Sequence, residues 1–225
     1  MALCTFNGDK YLAAQLQSLL DQTRRPDEIV ICDDGSVDGT VDLIYSYQKK
    51  TDLPIKLLIN KESLGVISNF EKAISHCTGD IIFLCDQDDI WYTKKIATMA
   101  AILQDDESVS LVASNNRLID SEAHPIGSRL NWELCGFTKD WQDRVNRGDA
   151  FRVFSFHSPI SGHAMAFRRS ICPVLLPFPQ GYHHDRWVAM ICAGVGNVRL
   201  ISEPLSDYRQ HDHNIVGGGI LSLRC

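Results

Sequence analysis

The sequence predicts an α/β protein with a mostly parallel central sheet flanked by helices. Three observations lead there. Short apolar runs alternate with segments of helical periodicity through the first half of the chain. Those runs are uniformly apolar, as strands covered on both faces are. Polar clusters stand at their carboxyl ends, where open α/β sheets bind ligands.

In chain order, residues 1–6 read as a strand, and 9–21 as a helix carrying Leu12, Leu16, Leu19 and Leu20 at helical spacing. Residues 28–32 are a second strand ending in Asp33-Asp34-Gly35-Ser36, and Asp38 or Ser36 can cap the helix that follows through Tyr47. A third strand spans 55–59 after Pro54, then a helix 68–77, a fourth strand 80–85, a helix near 93–103 and a fifth strand 109–113. The second half is less regular. Residues 116–128 read as a hairpin or loop, 163–167 as a strand, 184–193 as a helix and 198–201 as a short strand. These later segments extend the same sheet and wall off a cleft.

Bulk properties narrow the function. A chain of 225 residues suits one large domain. The formal charge of −6 argues against a nucleic-acid partner, which needs a basic face. No apolar run approaches the roughly 18–20 residues of a membrane span, and the start lacks a secretory pattern. The eight cysteines include no CxxC pair and several lie in apolar runs, so they read as buried free thiols of a reducing cytoplasm.

Asp86-Gln87-Asp88-Asp89-Ile90-Trp91 is the sharpest feature. Unpaired buried carboxylates are costly, so at a strand's end they face solvent or bind a cation. An extended backbone puts Asp86 and Asp88 on one face and Asp89 on the other. Two oxygens so placed suit a hard divalent ion that also takes diphosphate oxygens and water. A solvated turn with helix-capping aspartates is the plainer alternative. In Asp33-Asp34-Gly35-Ser36-Val37-Asp38-Gly39-Thr40 an aspartate could accept the N3–H of uracil or thymine, with Gly35 permitting a tight turn. A capped strand–helix turn would equally explain Ser36 and Asp38. Trp91 and Trp187 read as packing before sugar stacking.

The ordered motifs resemble a known family. Thr5-Phe6-Asn7-Gly8, the Asp33–Thr40 segment and Asp86–Trp91 look like the family-2 inverting glycosyltransferases of the GT-A fold. The likeness continues through Gly65–Asn69, Ser161-Gly162-His163 and His184-Asp185-Arg186-Trp187 to Tyr208-Arg209-Gln210-His211. The Gln in the acidic motif and the late Tyr-Arg-Gln-His resemble bacterial rhamnosyltransferase-like members of surface polysaccharide assembly.

The resemblance implies a nucleotide-diphospho-sugar donor (dTDP- or UDP-linked, with dTDP-rhamnose the narrower expectation) and a saccharide or lipid-linked saccharide acceptor. It makes residues 1–115 the nucleotide-sugar-binding half and 116–225 the acceptor-binding half of one domain. Asp34, with Asp33 beside it, would hold the nucleobase, Thr5 and Asn7 would line the nucleotide pocket, and Asn69 would sit near the donor. Asp86 would meet the donor sugar or ribose, Asp88 would be the principal ligand of Mn²⁺ or Mg²⁺, and His211 a further metal or diphosphate contact. Asp185 would be the general base, and Arg209 would help neutralise the leaving diphosphate. A helix-capping aspartate after two exposed histidines is the plainer reading of Asp185; His183 and His213 take no role.

A cytoplasmic location is implied, with room for peripheral association at the inner membrane face. The first strand is short for the family and the carboxyl terminus reads as truncated. Rival classes fit less well. A glycoside hydrolase needs no nucleotide pocket, a phosphatase of the haloacid dehalogenase type carries its nucleophile after the first strand, and a nucleotidyltransferase needs a basic glycine-rich loop. An inactive sugar-nucleotide-binding protein of the same fold is the main non-enzyme alternative.

Overall fold

The structure, a computed structural model, describes residues 1–157, 159–212 and 214. The first half follows the expected alternation: β1 (Ala2–Thr5), α1 (Asp9–Leu20), β2 (Ile29–Asp33), α2 (Thr40–Lys50), β3 (Ile55–Ile59), α3 (Gly65–Ser75) and β4 (Ile81–Cys85). There follow β5 (Ile90–Trp91), α4 (Lys95–Asp105) and β6 (Val109–Ile119). The remainder holds α5 (Asn131–Leu134), α6 (Lys139–Arg144), α7 (Ala150–Phe156), β7 (Met165–Arg168), α8 (Cys172–Leu175), α9 (His184–Val195) and β8 (Asn197–Arg209).

The eight strands among the described residues form one sheet in the order β3-β2-β1-β4-β7-β6-β8-β5. The β3-β2-β1-β4 block is parallel; β1, β2 and β4 are apolar and almost wholly buried, whereas β3, at the sheet edge, carries Lys56 and is partly exposed. Alternate residues feed two cores. Ala2, Cys4, Val30, Cys32, Ile82 and Leu84 pack under α3, α7 and α9, while Leu3, Ile29, Ile31, Phe83 and Cys85 pack under α1, α2 and α4. The sheet is thus the middle of three layers.

β7 is antiparallel to both β4 and β6, and β8 runs parallel to β6. Two reversals return β6 and β8 to the direction of β4. The end of β8, at Arg209, therefore arrives at the same edge as the ends of β1, β2 and β4. β6 crosses residue 115, so a single strand joins the two expected halves.

Several expectations are corrected. β6 reaches Ile119 rather than stopping near 113, and the hairpin allowed for residues 116–128 is present: Ile119 bridges Pro125 antiparallel and the Ile126 N–H donates to the Leu118 carbonyl at 2.9 Å. β8 has 13 residues instead of the four expected at 198–201. Polar residues hid both extensions, because each finds a buried partner. Asn115 Oδ1 accepts the N–H groups of Asn116 (2.9 Å) and Trp132 (3.1 Å), and Asn116 Oδ1 accepts Ser206 Oγ at 2.8 Å. Helices α5 to α8 were not anticipated at all. Cys4, Cys32, Cys77, Cys85, Cys172 and Cys192 are free thiols, as expected, but Cys135 is disulfide-bonded. Among the described residues no helix is long and apolar enough to cross a membrane.

Candidate active site

The end of β2 is a hydrogen-bonded knot. Asp33 is fully buried; its Oδ2 accepts Thr5 Oγ1 (2.7 Å) and Ser36 Oγ (2.6 Å), and its Oδ1 accepts the N–H groups of Gly35 and Ser36. Gly35, at φ 82°, supplies the left-handed turn this needs. Asp34 is met by four donors: Asn60 Nδ2 (2.7 Å) and the Leu64 N–H (2.7 Å) on Oδ1, Ser63 Oγ (2.6 Å) and the Gly65 N–H (2.9 Å) on Oδ2. Burial alone would raise the Asp34 pKa, but these donors outweigh it and hold the carboxyl below the usual range.

The neighbouring residues continue the knot. Asn69 is buried, donating to the Cys32 carbonyl at 2.7 Å and accepting from Asn60. Asn7, left-handed at φ 46°, accepts the Val37 N–H at 2.9 Å and donates its own N–H to Ser36 Oγ. Thr5, Asn7, Asp33, Asp34 and Asn69 are therefore brought together, but both aspartates and Asn69 face protein donors and acceptors. The N-cap of α2 is Gly39 rather than Asp38 or Ser36, and Asp38, one residue earlier, accepts the Thr40 N–H at 3.0 Å.

The acidic turn after β4 is built differently. The Gln87 side chain pairs with both backbone groups of Phe6, accepting its N–H at 2.8 Å and donating to its carbonyl at 3.1 Å. Gly8 permits this approach, since a Cβ there would lie 2.1 Å from Gln87 Oε1. Residues 86–89 are not extended, so the expected faces are overturned. Asp86 and Asp89 converge on His163 Nδ1, at 3.5 and 3.3 Å, while Asp88 turns to His211. Asp89 is fully buried and its Oδ1 accepts the Arg209 N–H at 3.1 Å.

Burial and then the like charges of Asp88 and Asp86 push Asp89 up, with His163 opposing. Burial would lower His163, but Asp89 and Asp86 raise it on balance. Beneath the turn lies Lys95, fully buried at the start of α4, donating to the His163 carbonyl at 2.7 Å and to Ser206 Oγ at 3.0 Å.

Asp88 Oδ2 and His211 Nε2 lie 2.8 Å apart. Two cis ligands of a small octahedral cation with bonds of 2.0–2.1 Å stand about 2.9 Å apart, so this oxygen and nitrogen fit Mg²⁺ or Mn²⁺ with little movement. His211 is seated against the Tyr11 ring, 4.8 Å between centroids. Asp86, Asp89 and His163 also bring three ligand atoms within 4.8 Å of one another.

Arg209 is held by backbone carbonyls on two sides. It is 3% exposed, its Nε donates to the Asp88 carbonyl (2.8 Å), and its Nη1 donates to the carbonyls of Asp120 and Ser121. These bonds turn the guanidinium inward as a brace for the acidic turn.

Asp185 lies in the first turn of α9, partly exposed, with its Oδ1 accepting the Arg186 N–H at 2.7 Å. Beside it His184 stacks on Phe70 at 4.2 Å, and a Cβ at Gly162 would stand 2.9 Å from His184 Nε2. Burial lowers the His184 pKa, against the opposing charges of Asp185 and Asp86. His184 thus feels the charges of both Asp185 and Asp86. His183 is exposed before α9, and His213 lies outside the described residues.

Sequence reasoning gave Gln87, His163 and Lys95 no role of their own. His163 stands in the quoted Ser-Gly-His segment. Lys95 had a readable signal, since it falls on the same helical stripe as the buried Met99 and Leu103.

Comparisons with known proteins establish the family and the fold. The family model for glycosyl transferase family 2 matches residues 2–175. The chain belongs to that family, and its fold is the GT-A fold. A Nostoc protein described as an uncharacterized glycosyltransferase is 26% identical over 94% of this chain and 64% of its own length. Chondroitin synthase of Escherichia coli is 30% identical over 57% of this chain and 18% of its own. Among solved structures, S. aureus TarS 1–349 in complex with UDP-GlcNAc superposes with a TM-score of 0.70 at 16% identity, covering 97% of this chain and 60% of that one. The mannosyltransferase PcManGT of Pyrobaculum calidifontis, in complex with GDP-Man and Mn²⁺, gives 0.68 at 21% identity, covering 96% and 57%. The chain thus spans less than two thirds of the Nostoc relative and of both solved structures.

Proposed function

We propose that the protein transfers a sugar, with inversion, from a nucleotide-diphosphate sugar to an acceptor hydroxyl. The observation that carries this is the meeting of Asp88 and His211 at 2.8 Å, from the ends of β4 and β8, beside the half-exposed Asp86. The nucleotide sugars and Mn²⁺ named for the two solved relatives support a donor and a cation of this kind.

Asp88 and His211 would hold Mn²⁺ or Mg²⁺, whose charge would favour departure of the diphosphate. Asp86, whose side chain is 37% exposed, is assigned to the donor sugar or ribose. Thr5, Asn7, Asp33, Asp34 and Asn69 shape the nucleotide pocket through the loops they hold, a role supported by their internal hydrogen bonds. Arg209 positions Asp88 and Asp89 by its backbone contacts.

Asp185 takes the proton of the acceptor hydroxyl as its oxygen bonds to the anomeric carbon. The bond from that carbon to the diphosphate oxygen breaks, and the diphosphate leaves with the electron pair. Residues 1–115 serve the donor and 116–225 the acceptor. Within this reading a thymidine or uridine donor follows from the motif resemblance, dTDP-rhamnose is its narrowest form, and surface polysaccharide assembly its setting.

The test is release of nucleotide diphosphate from UDP-, dTDP- and GDP-sugars with Mn²⁺ or Mg²⁺. Turnover by the parent, with kcat lowered about 10²–10⁴-fold in Asp185→Ala, is the expected result. No turnover of any donor by the parent, with donor binding unchanged in Asp88→Ala, would refute the proposal.

A further inference from the structure

An ionised carboxylate offers about four lone-pair sites, shared between its two oxygens. Asp34 fills all of them from its own chain. Asn60 Nδ2 and the Leu64 N–H meet Oδ1, each at 2.7 Å, while Ser63 Oγ (2.6 Å) and the Gly65 N–H (2.9 Å) meet Oδ2. Asp33 is filled in the same way, by Thr5 Oγ1 and Ser36 Oγ on Oδ2 and by the Gly35 and Ser36 N–H groups on Oδ1. The side-chain carbonyls beside them are taken as well. Asn60 Oδ1 accepts Lys72 Nζ at 2.6 Å, and Asn69 Oδ1 accepts Asn60 Nδ2 at 2.9 Å. A donor arriving from outside would displace one of these bonds and leave a group of the protein unpaired.

The rim of the same knot is apolar. Phe6 and Leu64 are half-exposed and Val37 is almost wholly exposed; they belong to the segments after β1, before α3 and after β2. Their backbones are already fixed. Gln87 pairs with both backbone groups of Phe6, the Val37 N–H donates to Asn7 Oδ1, and the Leu64 N–H donates to Asp34. A planar base can rest on such a surface whichever atoms its edge carries, because every base has a π-face.

We propose that neither Asp33 nor Asp34 reads the nucleobase of the donor, and that the base is held by its faces on the rim of Phe6, Val37 and Leu64, so that the pocket does not distinguish uracil from cytosine. These bases share one ring and differ at the edge. Uracil presents an N3–H donor and a carbonyl, whereas cytosine presents a bare N3 acceptor and an amino group. A carboxylate with a free lone pair accepts the first and repels the second; an apolar rim does neither. Asp34 keeps the task its bonds describe, which is to lock the 60–65 loop against the end of β2. The inference rests on the proposed nucleotide-sugar donor and goes beyond it, by removing the group to which the motif resemblance assigns base selection.

The experiment is calorimetric titration of the full chain with UDP and with CDP, each in excess Mn²⁺. The two Kd values should differ by less than about fivefold. A carboxylate that accepted the uracil N3–H would favour UDP by roughly 10²-fold, and any preference beyond the expected limit overturns the proposal. Phe6→Ala should weaken UDP and CDP alike, by about tenfold; loss of UDP alone, or of neither, refutes the rim as the seat of the base. Asp34→Asn should leave the ratio of the two Kd values unchanged, and a ratio that moves in this variant marks Asp34 as the reader. Should Asp34→Asn fail to accumulate, the parent ratio and Phe6→Ala still decide. Binding of neither nucleotide by the parent refutes the donor reading itself, a result distinct from unequal binding, which refutes base tolerance alone.

Discussion

Asp33 and Asp34 after β2, and Asp86, Asp88 and Asp89 after β4, look alike in the sequence, yet the fold secures them by opposite means. The first pair is held by neutral donors: hydroxyls, an amide and backbone N–H groups. The second set is held largely by titratable imidazoles, those of His163 and His211. Neutral donors fix geometry irrespective of ions, and they stabilise the ionised carboxylate. Cationic partners can be exchanged for a metal. In the proposed reading the first cluster is accordingly architecture, and the second is the part that answers to ligands.

The largest expected effect separates the two on this basis. Asp88→Ala should abolish Mn²⁺-dependent turnover while shifting the melting temperature little, because it removes one charge from a crowded acidic turn. Asp34→Ala should do the reverse, costing about 2–4 kcal/mol by orphaning donors of the 60–65 loop while leaving the Mn²⁺ response of the folded fraction intact. Chemical denaturation and cation titration of the two variants check this. If Asp34→Ala lost the Mn²⁺ response as completely as Asp88→Ala, the division would collapse.

Acid sensitivity sharpens the comparison. The Asp34 pKa is depressed in the folded state, so its contribution is present above the unfolded value of about 3.9 and is lost as pH falls through the folded one. His184 is also depressed, by burial, so its contribution is present above about 6.5 and declines as pH falls below that value. Stability should therefore fall in two windows. Asp34→Asn should flatten the lower one and His184→Gln the upper one, in melts run between pH 3 and 8 (about the span of both groups). A single window unaffected by either substitution would count against these assignments.

The smallest effect concerns the link between the clusters. Gln87→Ala removes both bonds to Phe6, and should cost about 1–2 kcal/mol while raising KM for the donor more than it lowers kcat. An unchanged KM would mean that the clamp serves folding alone.

The fold and the site were legible to different depths. Uniformly apolar runs made β1 to β4 and their order of appearance readable, because strands covered on both faces admit few polar residues. β6 and β8 were shortened in the reading, since Ser114, Asn115, Asn116 and Ser206 carry polar groups that only a folded partner satisfies. The roles given to Asp88, Asp185 and His211 rest on motif order and belong to the proposed function. The assumption of an extended Asp86–Asp89 segment failed, because β4 ends at Cys85 and the turn is shaped by Gln87, His163 and Arg209 from distant parts of the chain.

By itself, the sequence determined the layered α/β architecture and family membership of this protein, and the strand ends that carry its carboxylates. Periodicity and motif order are local properties, and they survive without tertiary contacts. Only the tertiary structure decided which carboxylates are saturated, that Arg209 turns inward, and that Lys95 lies buried beneath the acidic turn. Those outcomes depend on partners such as Ser63, Ser121 and His163, whose separation along the chain no local pattern encodes.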